Sequence, residues 1–194
     1  MKNLQNKIKS LAENYFKDTV EIRRHLHTYP ELSFKEYKTS KYIQQKLTSY
    51  GIPFKSGLVE TGVVGLIKGK NPNSKCIALR ADIDALPIQE LNDSYYTSKN
   101  KGVMHACGHD VHTASLLGVG RILNELKEDW EGTMKLIFQP GEEKLPGGAS
   151  LMIAEGVLEN PKVDKIIGQH VSPELDSGII GIRGGMFMAS ADEI

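Results

Sequence analysis

The sequence has few cysteines and no excess of charge of either sign. Its 194 residues include only two cysteines, Cys76 and Cys107, and 24 basic residues are matched by 24 acidic ones. Two cysteines in a chain that we expect to be cytoplasmic are more typical of core, metal-binding or catalytic positions than of a disulfide. Because there is no basic surplus and no basic block, nothing indicates a nucleic-acid partner or an anionic membrane.

Long apolar runs are also missing. No stretch approaches the roughly 20 apolar residues that a membrane-spanning helix needs, and the opening segment MKNLQNKIKSLAENYF is too polar for a signal peptide. We therefore expect a cytoplasmic protein with no membrane partner. Hydrophobic residues nevertheless make up 40% of the chain, which is enough for a folded domain and unlike a disordered tail.

The apolar residues recur with the periods of both helices and strands. Spacings of three and four residues predict a helix that ends near His27 and further helices at about 34–49, 110–126 and 148–155. Short apolar segments predict strands at 62–67, 75–79, 133–138, 163–168 and 177–182. Strands that alternate with helices favour an α/β fold, in which helices cover both faces of a central sheet.

Ionisable side chains follow several of these strands at the points where they end. Three predicted strands run directly into segments with carboxylate or imidazole side chains, and the sequence MHACGHD precedes the long helix. Because ligands bind beyond the carboxyl ends of the strands in open α/β sheets, we expect these side chains to meet at one edge. The candidate site residues are Asp82, Asp84, Cys107, His109, Glu142, Glu143 and His170.

These candidates have the chemistry of a metal site. A thiolate, neutral imidazoles and a carboxylate together suit a transition metal, with zinc, manganese, cobalt and nickel all compatible. Cys107 and His109 are two residues apart, so that one tight loop through Gly108 can present both. Of the adjacent Glu142 and Glu143, one can bind metal while the other takes a proton from water.

Most of these residues also have an ordinary structural explanation when taken alone. Cys107 by itself is more typical of a core thiol, and carboxylates are common in turns, in salt bridges and on surfaces. His25 and His27 lie near a helix end, where capping or a solvated position is the usual role. His105 and His112 flank the cluster and are candidates for contacts with its ligands or with substrate. Only the joint arrangement favours a metal site.

Five strings in the chain resemble the M20 metallopeptidase family, and they occur in the same order. They are RRHLHTYPELSFKEYKTSKYI, ALRADIDALPIQE, MHACGHDVHTASLLG, IFQPGEEKLPGGASLMIAEGVLE and GQHV. The chain is most similar to the amidohydrolase subgroup that includes hippurate hydrolase, N-acyl amino acid amidohydrolase, auxin-conjugate hydrolase and N-acetyldiaminopimelate deacetylase. The resemblance covers nearly the whole chain and implies a zinc-peptidase-like catalytic domain with a mixed central β-sheet.

The resemblance also implies a role for each candidate. The metal ligands would be Cys107, His109, Glu143 and His170. Glu142 would be the general base and acid, and Asp84 would orient the site groups. Asp82 occupies a position where other branches of the family have a ligand histidine, and we expect it beside the ligands rather than among them. The implied cofactors are two divalent metal ions, zinc or manganese first and cobalt or nickel as alternatives.

The implied activity is hydrolysis of an amide bond in an N-acyl amino acid or a related small molecule, by metal-activated water. Two alternatives stay open. One is a truncated, inactive remnant that acts at most as a metal-binding or subunit-pairing module. The other is a peptidase of the same family that cuts dipeptides. The cysteine in the HACGHD loop disfavours the second alternative, because the peptidase branches carry a different ligand set.

Members of the family are considerably longer than this chain, so the resemblance also implies a domain division. It implies that 1–185 form the N-terminal part of the catalytic domain, incomplete at its C-terminus. Residues 186–194 would then begin a truncated lid or dimerisation domain, with a final ligand histidine beyond it. We expect the full-length form to be a homodimer and this chain alone to hydrolyse little or no substrate.

Overall fold

The computed structural model describes residues 2–186, in which helices and strands alternate along the chain. The helices are α1 (Lys2–Thr28), α2 (Tyr37–Ser49), α3 (His109–Glu125) and α4 (Gly148–Ala154), with a short 3₁₀ helix at Lys127–Asp129. The strands are β1 (Phe54–Leu58), β2 (Gly62–Lys68), β3 (Cys76–Asp82), β4 (Thr133–Gln139) and β5 (Lys165–Gly168). This architecture confirms the α/β prediction.

The five strands form one mixed sheet in the order β1-β2-β4-β3-β5. β1 is antiparallel to β2 and β2 is antiparallel to β4, whereas β3 runs parallel to both β4 and β5. Asp82 pairs with Gln139, and Arg80 pairs with Gly168. The carboxyl ends of three neighbouring parallel strands therefore lie at the same edge, which is where ligands bind in open α/β sheets.

Helices cover both faces of the sheet, and each face has its own apolar core. The larger core contains Leu26 of α1, Leu47 of α2, Leu117 of α3, and Leu136 and Phe138 of β4. Because side chains alternate along a strand, the intervening Ile137 points to the opposite face, where it packs in a second cluster with Met152 of α4. Burial of each such side chain stabilises the fold by about 1.5–3 kcal/mol, which fixes β4 between the two layers.

Several elements differ from the sequence predictions, among them β3, which ends at Asp82 rather than near residue 79. The sequence does not predict β1, because four of its five residues are exposed and show no apolar alternation. α2 begins at Tyr37 rather than near residue 34. Phe34 has a φ of 62°, a left-handed conformation that cannot continue into a right-handed helix. The position of Cys76 in the core of β3 agrees with its mid-strand location, since its side chain is buried.

The strand predicted at 177–182 is wrong. None of the strands within residues 2–186 pairs with this segment, and Ile180 and Ile182 are 87% and 93% exposed. Apolar alternation leads to a strand only where a neighbouring strand supplies hydrogen bonds and a second layer covers the apolar side chains. The alternating isoleucines have neither here, so the pattern is misleading.

The predicted division of the chain into 1–185 and 186–194 stays a prediction, because residues 187–194 lie outside the described part of the chain. Residues 2–168 contain the one sheet and its two helical layers, and no helix or strand follows β5 within the described residues. Within residues 2–186, no helix combines the length and the apolarity that crossing a membrane requires.

Candidate metal centre

All the predicted site residues meet at the sheet edge formed by the ends of β3, β4 and β5. Two carboxylates lie at the end of β3, two follow β4, one histidine follows β5, and the remaining pair lies at the start of α3. The residues that the structure brings together are Asp82, Asp84, Cys107, His109, Glu142, Glu143 and His170. Topology causes this convergence, because parallel strands end at one edge and α3 starts there.

The loop before α3 presents Cys107 and His109 on either side of Gly108. Gly108 is the N-cap residue of the helix and has a φ of 81°. A Cβ atom at this position would lie 2.4 Å from Cγ2 of Val171, so that both backbone conformation and space require glycine. The cysteine thiol then lies 3.4 Å from Nε2 of His170.

His109 is held in one orientation by Asp84. Its Nδ1 atom lies 3.0 Å from the carbonyl oxygen of Asp84 and 3.2 Å from the Oδ1 atom of the same residue. The other carboxylate oxygen, Oδ2, accepts hydrogen bonds from the backbone N–H of Glu143 at 3.0 Å and from the hydroxyl of Ser33 at 2.7 Å. Asp84 thereby couples the start of α3 to the turn after β4.

Asp82 contacts two other side chains at the same edge, His112 through a hydrogen bond and Arg80 through an ion pair. Its Oδ1 atom lies 2.5 Å from Nδ1 of His112, and its Oδ2 atom lies 2.8 Å from the guanidinium of Arg80. Nε2 of His112 in turn accepts a hydrogen bond from the backbone N–H of Val171 at 3.0 Å. Asp82 Oδ2 also lies 3.6 Å from Nε2 of His109. At this distance, one cation could contact both atoms.

The described residues contain three overlapping groups of potential metal ligands. Within each group, the ligand atoms lie within 4.8 Å of one another. The groups are Cys107 with His109 and His170, His109 with Glu142 and Glu143, and Asp82 with His109 and His112. His109 belongs to every group. The arrangement therefore has room for two adjacent cation sites, both next to His109.

Two buried atoms without a hydrogen-bond partner show that the residues fit a cation. Nε2 of His109 and Oε1 of Glu143 are both buried and unpartnered within the described chain, and they lie 3.7 Å apart. A neutral histidine that donates from Nδ1 directs a lone pair from Nε2. A lone pair that faces a carboxylate oxygen is repelled by it, and a buried polar atom left unpaired is costly. A cation bound by both atoms removes both penalties.

The electrostatic environment of the site is strongly negative. Burial raises the pKa of the Cys107 thiol to about 12, and the nearby carboxylates of Glu143 and Glu142 add to the effect. Burial and the neighbouring Glu143 likewise raise the pKa of Glu142. Burial lowers the pKa of His109, but Asp84, Asp82 and Glu143 outweigh it, so the net shift is upward. Each shift opposes negative charge or favours positive charge, as expected where a divalent cation binds.

A cleft of about 830 Å³ opens beside the thiol and the exposed imidazole. Its lining includes Cys107, Gly108 and His170 on the side of the site, together with Tyr96 and Met104. Binding sites for small molecules fall in the same range of volume. A small molecule in this cleft would therefore lie beside the thiol of Cys107 and the imidazole of His170.

Sequence reasoning does not identify the partner of Asp82 or the role of His27. His112 lies three residues after His109 on α3, a spacing that places both side chains on one helix face and could have indicated the pairing. His27 lies in the interior rather than near solvent, with Nδ1 2.7 Å from Asp110 and Nε2 3.0 Å from Glu90. No local signal links these residues, because Asp110 lies 83 positions from His27.

His105, in the loop before α3, is a buried histidine whose ring has no hydrogen bonds among the described residues. Its side chain is buried, and both ring nitrogens lack a hydrogen-bond partner within residues 2–186. Burial lowers its pKa to about 4, so the ring is neutral at neutral pH. His105 is therefore an interior residue of the loop that also borders the cleft, so its expected contact with ligands or substrate stays a prediction.

Two curated relatives match almost all of this chain. An N-acyl-L-amino acid amidohydrolase of Geobacillus stearothermophilus is 45% identical over 188 residues, which are 97% of this chain and 50% of the relative. Thermostable carboxypeptidase 1 of Saccharolobus solfataricus is 47% identical over 175 residues, which are 89% of this chain and 44% of the relative. The chain thus spans about half the length of the curated relatives it matches.

A solved structure agrees with the fold and with the sequence family. The YXEP protein of Bacillus subtilis, described as a dinuclear metal binding peptidase from the M20 family, superposes with a TM-score of 0.84 at 42% identity. The superposition covers 89% of this chain and 48% of that one. The profile of Peptidase family M20/M25/M40 matches residues 78–185, more than half of the chain and all of the candidate site. This chain belongs to Peptidase family M20/M25/M40.

Proposed function

We propose that this chain carries the metal centre of a hydrolase that cleaves the amide bond of N-acyl amino acids or related small amides. Cys107, His109, Glu143 and His170 would hold two divalent cations, and Glu142 would be the general base and acid. The observation that carries the proposal is the unpartnered pair formed by buried Nε2 of His109 and Oε1 of Glu143, 3.7 Å apart. The dinuclear metal binding described for the YXEP protein supports the number of ions.

The protein residues divide the remaining work. When bound, the metal ions supply Lewis acidity, which polarises the amide carbonyl and makes water a better nucleophile. Glu142 lies beside the ligand Glu143 and is exposed to solvent. Its carboxylate takes the proton from the attacking water and delivers it to the leaving nitrogen. Asp84 keeps the imidazole of His109 oriented by accepting from its Nδ1 atom.

The donor set bears on the identity of the metal. A cysteine thiolate is a soft ligand, whereas the carboxylate is hard and the imidazoles are intermediate, a mixture that suits zinc well and also accommodates manganese, cobalt or nickel. Binding requires the Cys107 thiol to lose its proton, although its pKa is about 12 without a cation. The positive charge of the metal stabilises the thiolate, so binding releases a proton.

A peptidase activity is the second candidate function. Thermostable carboxypeptidase 1 is as similar to this chain as the amidohydrolase is. Both reactions hydrolyse an amide, and they differ in the group on the acyl side. The turnover of N-acetyl and N-benzoyl amino acids against that of dipeptides with a free amino group separates the two. This comparison uses the complete protein that carries this chain.

Metal content and turnover together test the proposed site. We expect the purified chain to hold zinc or manganese by elemental analysis, and Cys107→Ala and Glu143→Ala to reduce the bound metal. Glu142→Gln should retain metal and, in the complete protein, lose most of the turnover, since a general base contributes roughly 10²–10⁴-fold.

An exposed carboxylate away from the site provides the control. Glu128 lies in the 3₁₀ helix at Lys127–Asp129 and is exposed, so Glu128→Ala should leave both metal content and turnover unchanged. Equal metal content in wild type, Cys107→Ala and Glu143→Ala would show that the ions bind elsewhere. Full turnover by Glu142→Gln would remove Glu142 from its role as the base.

A further inference from the structure

Glu36 is a fully buried carboxylate that no step of the proposed chemistry uses. Its exposed fraction is 0%, and it lies just before α2 as the N-cap residue. Its Oε1 atom accepts hydrogen bonds from the backbone N–H of Phe34 at 2.8 Å and of Gly141 at 2.9 Å. Its Oε2 atom accepts from the hydroxyl of Thr61 at 2.7 Å. Such a group is expensive to bury and needs every one of these partners.

Two of the three partners lie away from the site, but the third belongs to it. Thr61 lies in the turn between β1 and β2, and Phe34 lies two residues before Glu36. Gly141 is separated from Glu36 by 105 positions and immediately precedes Glu142. A charge-assisted hydrogen bond to a backbone N–H is about twice as strong as a neutral one. The Glu36 carboxylate therefore restrains the backbone at Gly141, one residue before the proposed base Glu142.

Close packing at the same point reinforces this attachment. The backbone of Gly141 has a φ of 58°, and a Cβ atom there would lie 2.3 Å from the ring of Phe34. Phe34 itself has a φ of 62°, and its ring atoms are the nearest neighbours of such a Cβ atom. The segment before α2 thus adjoins the turn after β4 through both a hydrogen bond and an aromatic ring.

The turn is held at a second point two residues further on. Asp84 accepts from the backbone N–H of Glu143 at 3.0 Å. Together, Glu36 and Asp84 attach the backbone on both sides of Glu142, whose own side chain is exposed. An exposed side chain can keep a fixed position only if its backbone is fixed, because few neighbours restrict it.

We propose that Glu36 is a positioning residue that holds the Gly141–Glu143 turn in the geometry that the metal centre and its base require. The inference rests on the proposed function, since it assigns Glu36 a role for Glu142 and Glu143. Within the described residues, the Glu36 carboxylate hydrogen-bonds to none of the proposed cation ligands, and it acts through the N–H of Gly141.

The experiment compares three variants of the 194-residue chain. Glu36→Ala removes the acceptor, Glu36→Gln keeps an amide oxygen that can accept from both backbone N–H groups, and Thr61→Val removes one donor but leaves the bond to Gly141. Zinc affinity is measured by competition with a chromophoric chelator. The amide proton shifts of Gly141 and Glu142 are measured by NMR in the metal-free chain, and thermal unfolding reports folding.

The expected pattern separates positioning from general stability. Glu36→Ala should lower zinc affinity about tenfold or more, the size of effect typical of partners just beyond the ligands, and should shift the amide protons of Gly141 and Glu142. Glu36→Gln should restore most of the affinity. Thr61→Val should keep wild-type affinity and wild-type shifts even if its melting temperature falls.

Several results would overturn the proposal. One is a wild-type zinc affinity in folded Glu36→Ala, and another is an equal loss of affinity in Thr61→Val. If Glu36→Ala does not fold, Glu36→Gln carries the test, because its weaker neutral acceptor should move the Gly141 amide proton upfield. An unmoved resonance would then refute the inference.

The failure of the proposed metal site would have a different signature. In that case Cys107→Ala would bind zinc as well as wild type does, whatever residue stands at position 36. The amide shifts of Gly141 and Glu142 would still change in the metal-free Glu36 variants, because they report the turn itself. The two hypotheses therefore fail in separate measurements.

Discussion

Nδ1 of His109 lies 3.0 Å from the carbonyl oxygen of Asp84 and 3.2 Å from its Oδ1 atom. Both contacts come from one residue and involve one ring nitrogen, so the imidazole can use only Nε2 for a cation. Asp84 follows closely on the end of β3 and is buried. The orientation of His109, a proposed ligand, is thus determined by the end of the sheet rather than by the loop that carries it.

The first prediction concerns the loss of this orientation. Asp84→Ala should lower zinc affinity by roughly 10–100-fold, the range seen when a partner just beyond the ligands is removed. The change frees His109 to rotate and leaves the N–H of Glu143 without its acceptor. A competition titration measures the affinity. Asp93→Ala, at an exposed position, is the matched control and should bind as wild type does.

A second prediction links metal binding to folding. If the cations bind the folded site as proposed, zinc at 100 times its dissociation constant should stabilise the chain by about 2.7 kcal/mol. Thermal unfolding with zinc and with a chelator measures the shift. Cys107→Ala should lose most of it, whereas Glu128→Ala should keep it. If zinc raised the melting temperature of both variants equally, the stabilising ion would be bound at another place.

A third prediction concerns pH and the buried His27. Its hydrogen bonds to Asp110 and then to Glu90 raise the pKa of the ring above its ordinary value of 6.5, despite burial. A raised pKa means that folding favours the protonated ring. Its contribution is therefore fully present below pH 6.5 and is lost as the pH rises through the folded-state pKa. His27→Gln should cost about 3 kcal/mol at pH 6, because it breaks a buried charge pair, and less at pH 9.

Urea unfolding of wild type and variant at the two pH values measures this difference. His25→Gln is a control of opposite sign on the same helix. Burial and then Lys46 lower the pKa of His25, so that its folded state favours the neutral ring. The gap between wild type and His25→Gln should not shrink from pH 6 to pH 9. A gap for His27→Gln that is constant across this range would show that the ring is not protonated between the two carboxylates.

What could be predicted from the sequence depended on how far apart the interacting residues are. The sheet edge at which β3 and β4 end was predictable, because apolar segments identify strands and parallel strands end at one edge, although β3 continues to Asp82 instead of ending near residue 79. The attachment of Gly141 to Glu36 was not, since 105 positions separate them and a glutamate before a helix is ordinary. β1 was missed for a different reason. It is an edge strand with mostly exposed residues, so hydrogen bonds define it rather than an apolar pattern.

A fourth prediction concerns the opposite edge of the sheet. β5 is an edge strand, and its Ile166 and Ile167 are 54% and 58% exposed. An exposed apolar edge favours association between chains. We expect the 194-residue chain to self-associate as its concentration rises, and Ile166→Lys with Ile167→Lys to reduce this. Sedimentation equilibrium measures the mass. Ile8→Lys on α1, where the side chain is 37% exposed, should change little.

The last prediction tests the contact between Gly141 and Phe34. An alanine at 141 meets two penalties, a left-handed backbone at φ 58° and a Cβ atom 2.3 Å from the ring of Phe34. The backbone penalty is about 1–2 kcal/mol, and overpacking adds about 1–3 kcal/mol. Gly57→Ala isolates the backbone part, because Gly57 has a φ of 90° and a Cβ atom added there would meet nothing within 4 Å.

Chemical denaturation of the single and double variants separates the two penalties. Gly141→Ala should be more destabilising than Gly57→Ala, and the excess should disappear when Gly141→Ala is measured in a Phe34→Ala background. Equal costs for the two glycine substitutions would mean that the ring moves aside freely. In that case Phe34 would not restrain the turn, and the hydrogen bonds from Gly141 to Glu36 and from Glu143 to Asp84 would hold it alone.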